Sequence, residues 1–102
     1  MSTQQVLTAI IYDRKGRVLS IGQNSYIKTH PLQAHHARKV GSEHRIYLHA
    51  EIAAIVRCPN ISRAWRMQII RTGRNGQPAN AAPCEVCVSA LAATPIRHID
   101  HT

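Results

Sequence analysis

Two short clusters hold the residues best suited to chemistry: His49-Ala50-Glu51, and Pro83-Cys84-Glu85-Val86-Cys87 further along the chain. Zinc accepts imidazole nitrogen and thiolate sulfur. A three-residue spacing puts Cys84 and Cys87 on one face of a helix. A place in the first turn sets them near free backbone N–H groups and the positive end of the helix dipole, which favours the thiolate. His49 supplies a neutral nitrogen. Three protein ligands leave a fourth tetrahedral position for water, the mark of a catalytic zinc. Glu51 is the candidate catalytic group, because a carboxylate can take a proton from water and pass it to a leaving group. Residues two apart on a regular helix diverge. His49 and Glu51 therefore converge only if His49 stands at the helix entrance, with a backbone not yet helical. Two other readings compete. A redox Cys-x-x-Cys pair expects a thioredoxin-like βαβ context, which the pattern lacks. A structural zinc site needs a fourth ligand, for which His35, His36 and His44 are candidates. The joint occurrence of both clusters, each at a predicted helix start, favours the catalytic reading.

The elements that must position these residues are legible in the patterning. Val6 to Tyr12 and Val18 to Ile21 are β-branched-rich runs around a polar turn, Asp13-Arg14-Lys15-Gly16-Arg17, and read as a hairpin. A helix is expected from about Pro31 to Val40, capped by Thr29 and ended by Gly41. Leu48 to Arg57 is a stronger helix, stopped by Pro59, with Ile52, Ile55 and Val56 as its apolar stripe. Met67 to Arg71 reads as a third strand and Thr72 to Ala82 as loop. Cys84 to Ala93 is a second Ala-rich helix, with Pro83 at its start. Ile96 to Asp100 reads as a short final strand. The order implies an α/β fold, with helices packed on a small sheet.

The chain has 102 residues, which fits one domain spanning 1–102 and a modest aliphatic core without Phe. No apolar run approaches the roughly 20 residues of a membrane helix. The N-terminus lacks a signal-peptide pattern. A cytoplasmic location without membrane association is expected, and the odd count of three cysteines suits a reducing compartment. Thirteen Lys and Arg against five Asp and Glu give a formal charge of +8. That surplus points to phosphate-bearing partners. It lies before and around the Glu51 helix and not on the Cys84/Cys87 half. Among the basic residues, Lys28, Arg38, Lys39 and Arg45 lie within or beside the histidine-rich segment 30–44 that precedes the Glu51 helix. Arg57, Arg63, Arg66, Arg71 and Arg74 are spread over a helix end, a connector and a strand. Cys58 reads as a small buried residue. Trp65 and Tyr26 are the aromatics suited to base stacking, and for Trp65 a place in the core or at a subunit interface is the favoured reading.

The Leu48-His49-Ala50-Glu51 and Pro83-Cys84-Glu85-Val86-Cys87 motifs make the chain resemble the zinc-dependent cytidine/deoxycytidylate deaminase superfamily. The stretches Gly22-Gln23-Asn24-Ser25-Tyr26 and Lys28-Thr29-His30-Pro31 look like small phage and bacterial deaminase-like proteins. The resemblance implies a three-layer α/β/α sandwich with a mixed sheet of about four strands. It implies Zn2+ held by His49, Cys84 and Cys87, with Glu51 as proton shuttle. Asn24 would contact the substrate's sugar, and Ala50 and Tyr26 would line the pocket. The activity implied is hydrolytic deamination of a cytosine-type base in a free nucleotide or nucleoside. One alternative is a base in single-stranded DNA or tRNA, so that nucleic acid is the partner. Another is a non-enzymatic zinc-stabilised nucleic-acid-binding module. The pattern departs from the family in having neither a helix before the first strand nor the late strand and helix. The expectation is therefore a core trimmed at both ends, completed by a homo-oligomer or by the segment from Asn24 to Tyr47.

Overall fold

The computed structural model describes residues 6–25, 27–42, 47–72, 78–79 and 81–102. The hairpin forms from β1 (Leu7–Tyr12) and β2 (Val18–Gln23), paired antiparallel. Its turn is organised by Asp13, whose Oδ1 accepts the N–H groups of Lys15 (2.9 Å) and Arg17 (2.8 Å). Gly16 takes the left-handed conformation, φ 81°, that closing this turn requires. β3 (Arg66–Thr72) pairs antiparallel with β1. Its outer edge is shared by two short strands. β4 (Pro78–Ala79) runs antiparallel beside Arg71 and Thr72, and β5 (His98–His101) runs parallel beside Arg66 to Ile69. The result is a mixed sheet, four positions across. β4 falls inside the stretch expected to be loop. Two residues are too few to show alternation, and proline is tolerated at the first residue of a strand.

Period-two alternation buries one face of the sheet: Ala9 and Ile11 from β1, Met67 and Ile69 from β3, Ser20 and Gly22 from β2. α2 (Ala50–Arg57) and α3 (Glu85–Ala92) cover it, with Ala50, Ala54 and Leu91 joining that apolar cluster. α1 (Pro31–Lys39) packs against α3, with Ala37 beside Val86, Cys87 and Ala90. The opposite face carries Ile10, Tyr12, Ile21 and Ile70, and none of these belongs to either core cluster. The layer expected on that side is not formed by any described helix, so the described residues build a sheet covered on one face.

α2 lies close to β2 for a specific reason. A Cβ on Gly22 would sit 2.3 Å from the Ala54 nitrogen and 2.6 Å from the Ala50 oxygen. Ser20 Oγ donates to the Ala54 carbonyl at 2.7 Å across the same contact. The buried face of α2 is consequently its alanines, Ala50, Ala53 and Ala54, with Ile52 facing α1 and α3. Val56, expected in the apolar stripe, is 42% exposed. His30, not Thr29, caps α1: its Nδ1 accepts the Leu32 N–H at 3.0 Å. Thr29 instead bridges to Tyr47, and Gly41 (φ 75°) follows the helix end as expected. Cys58 is half-buried against the core. No helix among the described residues is long and apolar enough to cross a membrane.

Candidate metal centre

His49 is the N-cap of α2, with φ −82° and ψ 156°, an extended backbone at the helix entrance. Its carbonyl already accepts the Ala53 N–H at 2.9 Å, so the helix starts there. The imidazole can therefore turn away from the helix axis while Glu51 occupies the first turn. Cys84 is the N-cap of α3, also extended (φ −74°, ψ 171°), and Cys87 lies one turn later, fully buried. His49 Nδ1 stands 3.2 Å from Cys87 Sγ and 3.4 Å from Cys84 Sγ. The potential ligand atoms of all three residues lie within 4.8 Å of one another. Two helix N-termini thus converge on two sulfurs, a field that favours thiolate.

The thiols divide one proton unequally. Cys84 is held down to about 3, chiefly by the hydrogen bond from the Cys87 thiol and secondarily by His49, against the opposing cost of burial. Cys87 is pushed up: it keeps the proton for Cys84, is buried, and faces the Glu51 carboxylate. A bound dication would remove that proton, since metals take cysteine as thiolate. One imidazole and two thiolates suit zinc, a borderline-soft ion with no geometric demand of its own. Among the described residues the group has three members and no fourth ligand. Of the fourth-ligand candidates, His36 is engaged elsewhere, with Nδ1 2.9 Å from Ser89 Oγ, and His35 packs edge-on to His36. His44 lies outside the described residues.

A cavity of about 370 Å³ opens onto this group. It is lined by His49, Ala50, Glu51 and Cys84, together with Leu7, Asn24, Ser25 and Tyr47. Glu51 is only 3% exposed, a buried carboxylate at a cavity edge. Asn24 lines the cavity, and its Oδ1 accepts the Leu7 N–H at 2.9 Å. The Asn24 N–H in turn donates to the Leu7 carbonyl, so this residue also joins the end of β2 to the start of β1. Ser25 N–H donates to the Leu48 carbonyl (2.8 Å) and Leu48 N–H to the Lys28 carbonyl (2.9 Å). That ladder fixes the approach to His49. Tyr26 lies outside the described residues.

Gln33 has a positioning role that sequence reasoning did not assign. It is fully buried on α1, and its Oε1 accepts the His49 N–H at 3.2 Å. A glutamine in a polar helix reads as a surface residue, so no local signal marked it. α1 and the residues just after it are tied to α3 twice, by His36 to Ser89 and by Ser42 Oγ donating to the Glu85 carboxylate. Burial, with His35 and Lys39 adding to it, lowers the His36 pKa and keeps the ring neutral in this contact. The described part of the histidine-rich segment thus braces the helices that bring His49, Cys84 and Cys87 together. No protein-family model matches the chain, and no curated protein matches it.

Proposed function

We propose that the chain is a zinc-dependent hydrolytic deaminase acting on a cytosine-type base in a free nucleotide or nucleoside. The observation that carries this reading is the extended backbone of His49. It lets one imidazole join two cysteines at the meeting of two helix starts while Glu51, two residues on, reaches the same cavity. A zinc ion held by His49, Cys84 and Cys87 would supply Lewis-acid activation of water. Glu51 accepts a proton from the attacking water and delivers it to ring N3 of the base. A second proton passes by the same carboxylate to the departing exocyclic amine, so that water and a cytosine give a uracil and ammonia. Burial of Glu51 keeps bulk water from short-circuiting this transfer. A cavity of about 370 Å³ lies in the range of small-ligand sites.

A second reading keeps the chemistry and places the base in single-stranded nucleic acid, favoured by the formal charge of +8. A purely structural zinc module is the less favoured reading, because it needs a fourth ligand and no buried Glu51. The test is ammonia release by zinc-loaded protein from cytidine, deoxycytidine, their monophosphates and cytosine-containing oligonucleotides. Release that disappears in Glu51→Gln while zinc stays bound supports the proposal. Equal release by that variant refutes it.

A further inference from the structure

A larger cavity, about 560 Å³, lies at the other end of α2 and α3. His49 and Cys84 stand at the N-termini of those helices. The second cavity is built from the segments just beyond their C-termini, residues 62–65 and 95–97, together with the β1–β2 turn. It shares no lining residue with the metal-centre cavity. Three separated stretches of sequence converge there and bring Arg14, Lys15, Arg17, Arg63 and Arg97 around Trp65.

The charge of this groove is largely uncompensated. Its one carboxylate, Asp13, is ion-paired to Arg17 at 2.8 Å and also accepts backbone N–H groups of the turn. Among the described residues, no carboxylate lies within ion-pair distance of Arg14, Lys15, Arg63 or Arg97. All four are exposed. Clustering four like charges without a counter-charge is unfavourable unless an anion fills the space. The aromatic is equally placed. Trp65 is half-buried, its ring edge-on to His98 at 5.1 Å, with the Arg14 guanidinium 4.3 Å over its centre. The indole face is therefore aimed into the groove and already holds a planar π-partner. A nucleobase is the other planar group that such a face accepts, and the displaced guanidinium is then free for a phosphate.

We infer that this groove is a second ligand site, which binds a nucleotide unit by stacking its base on Trp65 and pairing its phosphate with Arg63, Arg97 and Arg14. Free nucleotides and single-stranded nucleic acid both present that unit. The inference does not depend on deamination.

Trp65 is the one tryptophan of the chain, so its fluorescence reports this groove alone. Thymine probes suit the experiment because they carry no amine to be released. The protein is titrated at low salt with thymidine, dTMP, a ten-residue oligothymidylate, inorganic phosphate and polyphosphate. Quenching by dTMP or the oligonucleotide, weaker by at least about tenfold in the Arg63→Gln/Arg97→Gln variant, supports the site. An oligonucleotide affinity about tenfold or more above that of dTMP assigns it to a strand, with a salt slope near −0.7 per phosphate contacted. Equal affinities assign it to a free nucleotide. Glu51→Gln should bind the probes unchanged, which separates this groove from the proposed deamination site. Absence of quenching, quenching that survives the double substitution, or polyphosphate binding as tightly as the oligonucleotide overturns the inference. Both arginines are exposed, and circular dichroism confirms that the variant is folded.

Discussion

Replacing Gly22 by alanine tests the link between the sheet and the metal centre. The added Cβ would lie 2.3, 2.6 and 2.8 Å from the Ala54 nitrogen, the Ala50 oxygen and the Ala53 carbonyl carbon, all backbone atoms. Ordinary contact begins at 3.4 Å, so α2 must withdraw from β2 by about 1 Å. No side chain can rotate away to relieve it. Overpacking of this kind costs about 1–3 kcal/mol. The retreat also stretches the buried Ser20–Ala54 hydrogen bond, worth about 1 kcal/mol. The expected loss is about 2–4 kcal/mol, a fall in Tm of roughly 10–25 °C for a domain of this size. α2 carries His49 and Glu51, whereas α3 carries both cysteines. A displacement of about 1 Å exceeds the roughly 0.5 Å tolerance of a preorganised site, so zinc affinity should fall as well. Ile21→Ala, on the neighbouring residue facing the other side and 49% exposed, should cost less than about 1 kcal/mol and leave zinc binding unchanged. Thermal unfolding by circular dichroism and zinc competition against a chromophoric chelator measure both effects. A Gly22→Ala protein with Tm within about 2 °C of the parent and undiminished zinc affinity would show that α2 is not held by this contact.

Other substitutions probe the site directly. Glu51→Gln should keep stoichiometric zinc and lower ammonia release by at least about 100-fold, the usual share of a general acid–base group. Gln33→Leu removes the acceptor for the His49 N–H and should weaken zinc binding about 10- to 100-fold, read by chelator competition, with little change in helix content. Dialysis against a strong chelator should lower Tm and abolish turnover, and re-addition of zinc should restore both. His36 has a folded-state pKa below its ordinary 6.5, so its contribution is present above that value and is lost as pH falls through the folded value. Stability measured by urea unfolding should therefore decline from pH 7.5 towards 5.5, and His36→Gln should flatten that decline.

What the sequence conveys about this protein depends on how local each cause is. The candidate ligands His49, Cys84 and Cys87 stand out in the sequence because zinc chemistry selects residue types, and the helix starts that bring them together are marked within a few residues by Pro83 and Leu48. Even the extended backbone of His49 could be expected from helix geometry, since His49 and Glu51 cannot otherwise share a cavity. Causes spread over the chain left no such mark. Gln33 matters only because α1 folds back onto the residue before α2, and its polarity argued for the surface. Arg14, Arg63 and Arg97 are unremarkable singly and form a groove only when the β1–β2 turn meets the segments after α2 and α3. Trp65, expected in the core or an interface, sits half-buried at that groove for the same reason. Gly22 is the sharpest instance, because what it contributes is the absence of a Cβ. Scoring side chains for chemistry passes over it, yet the distance between β2 and α2, and through α2 the placing of His49 against the two cysteines, rests on that empty position. Substitutions at residues with no chemistry of their own should thus perturb the metal centre as strongly as changes beside it.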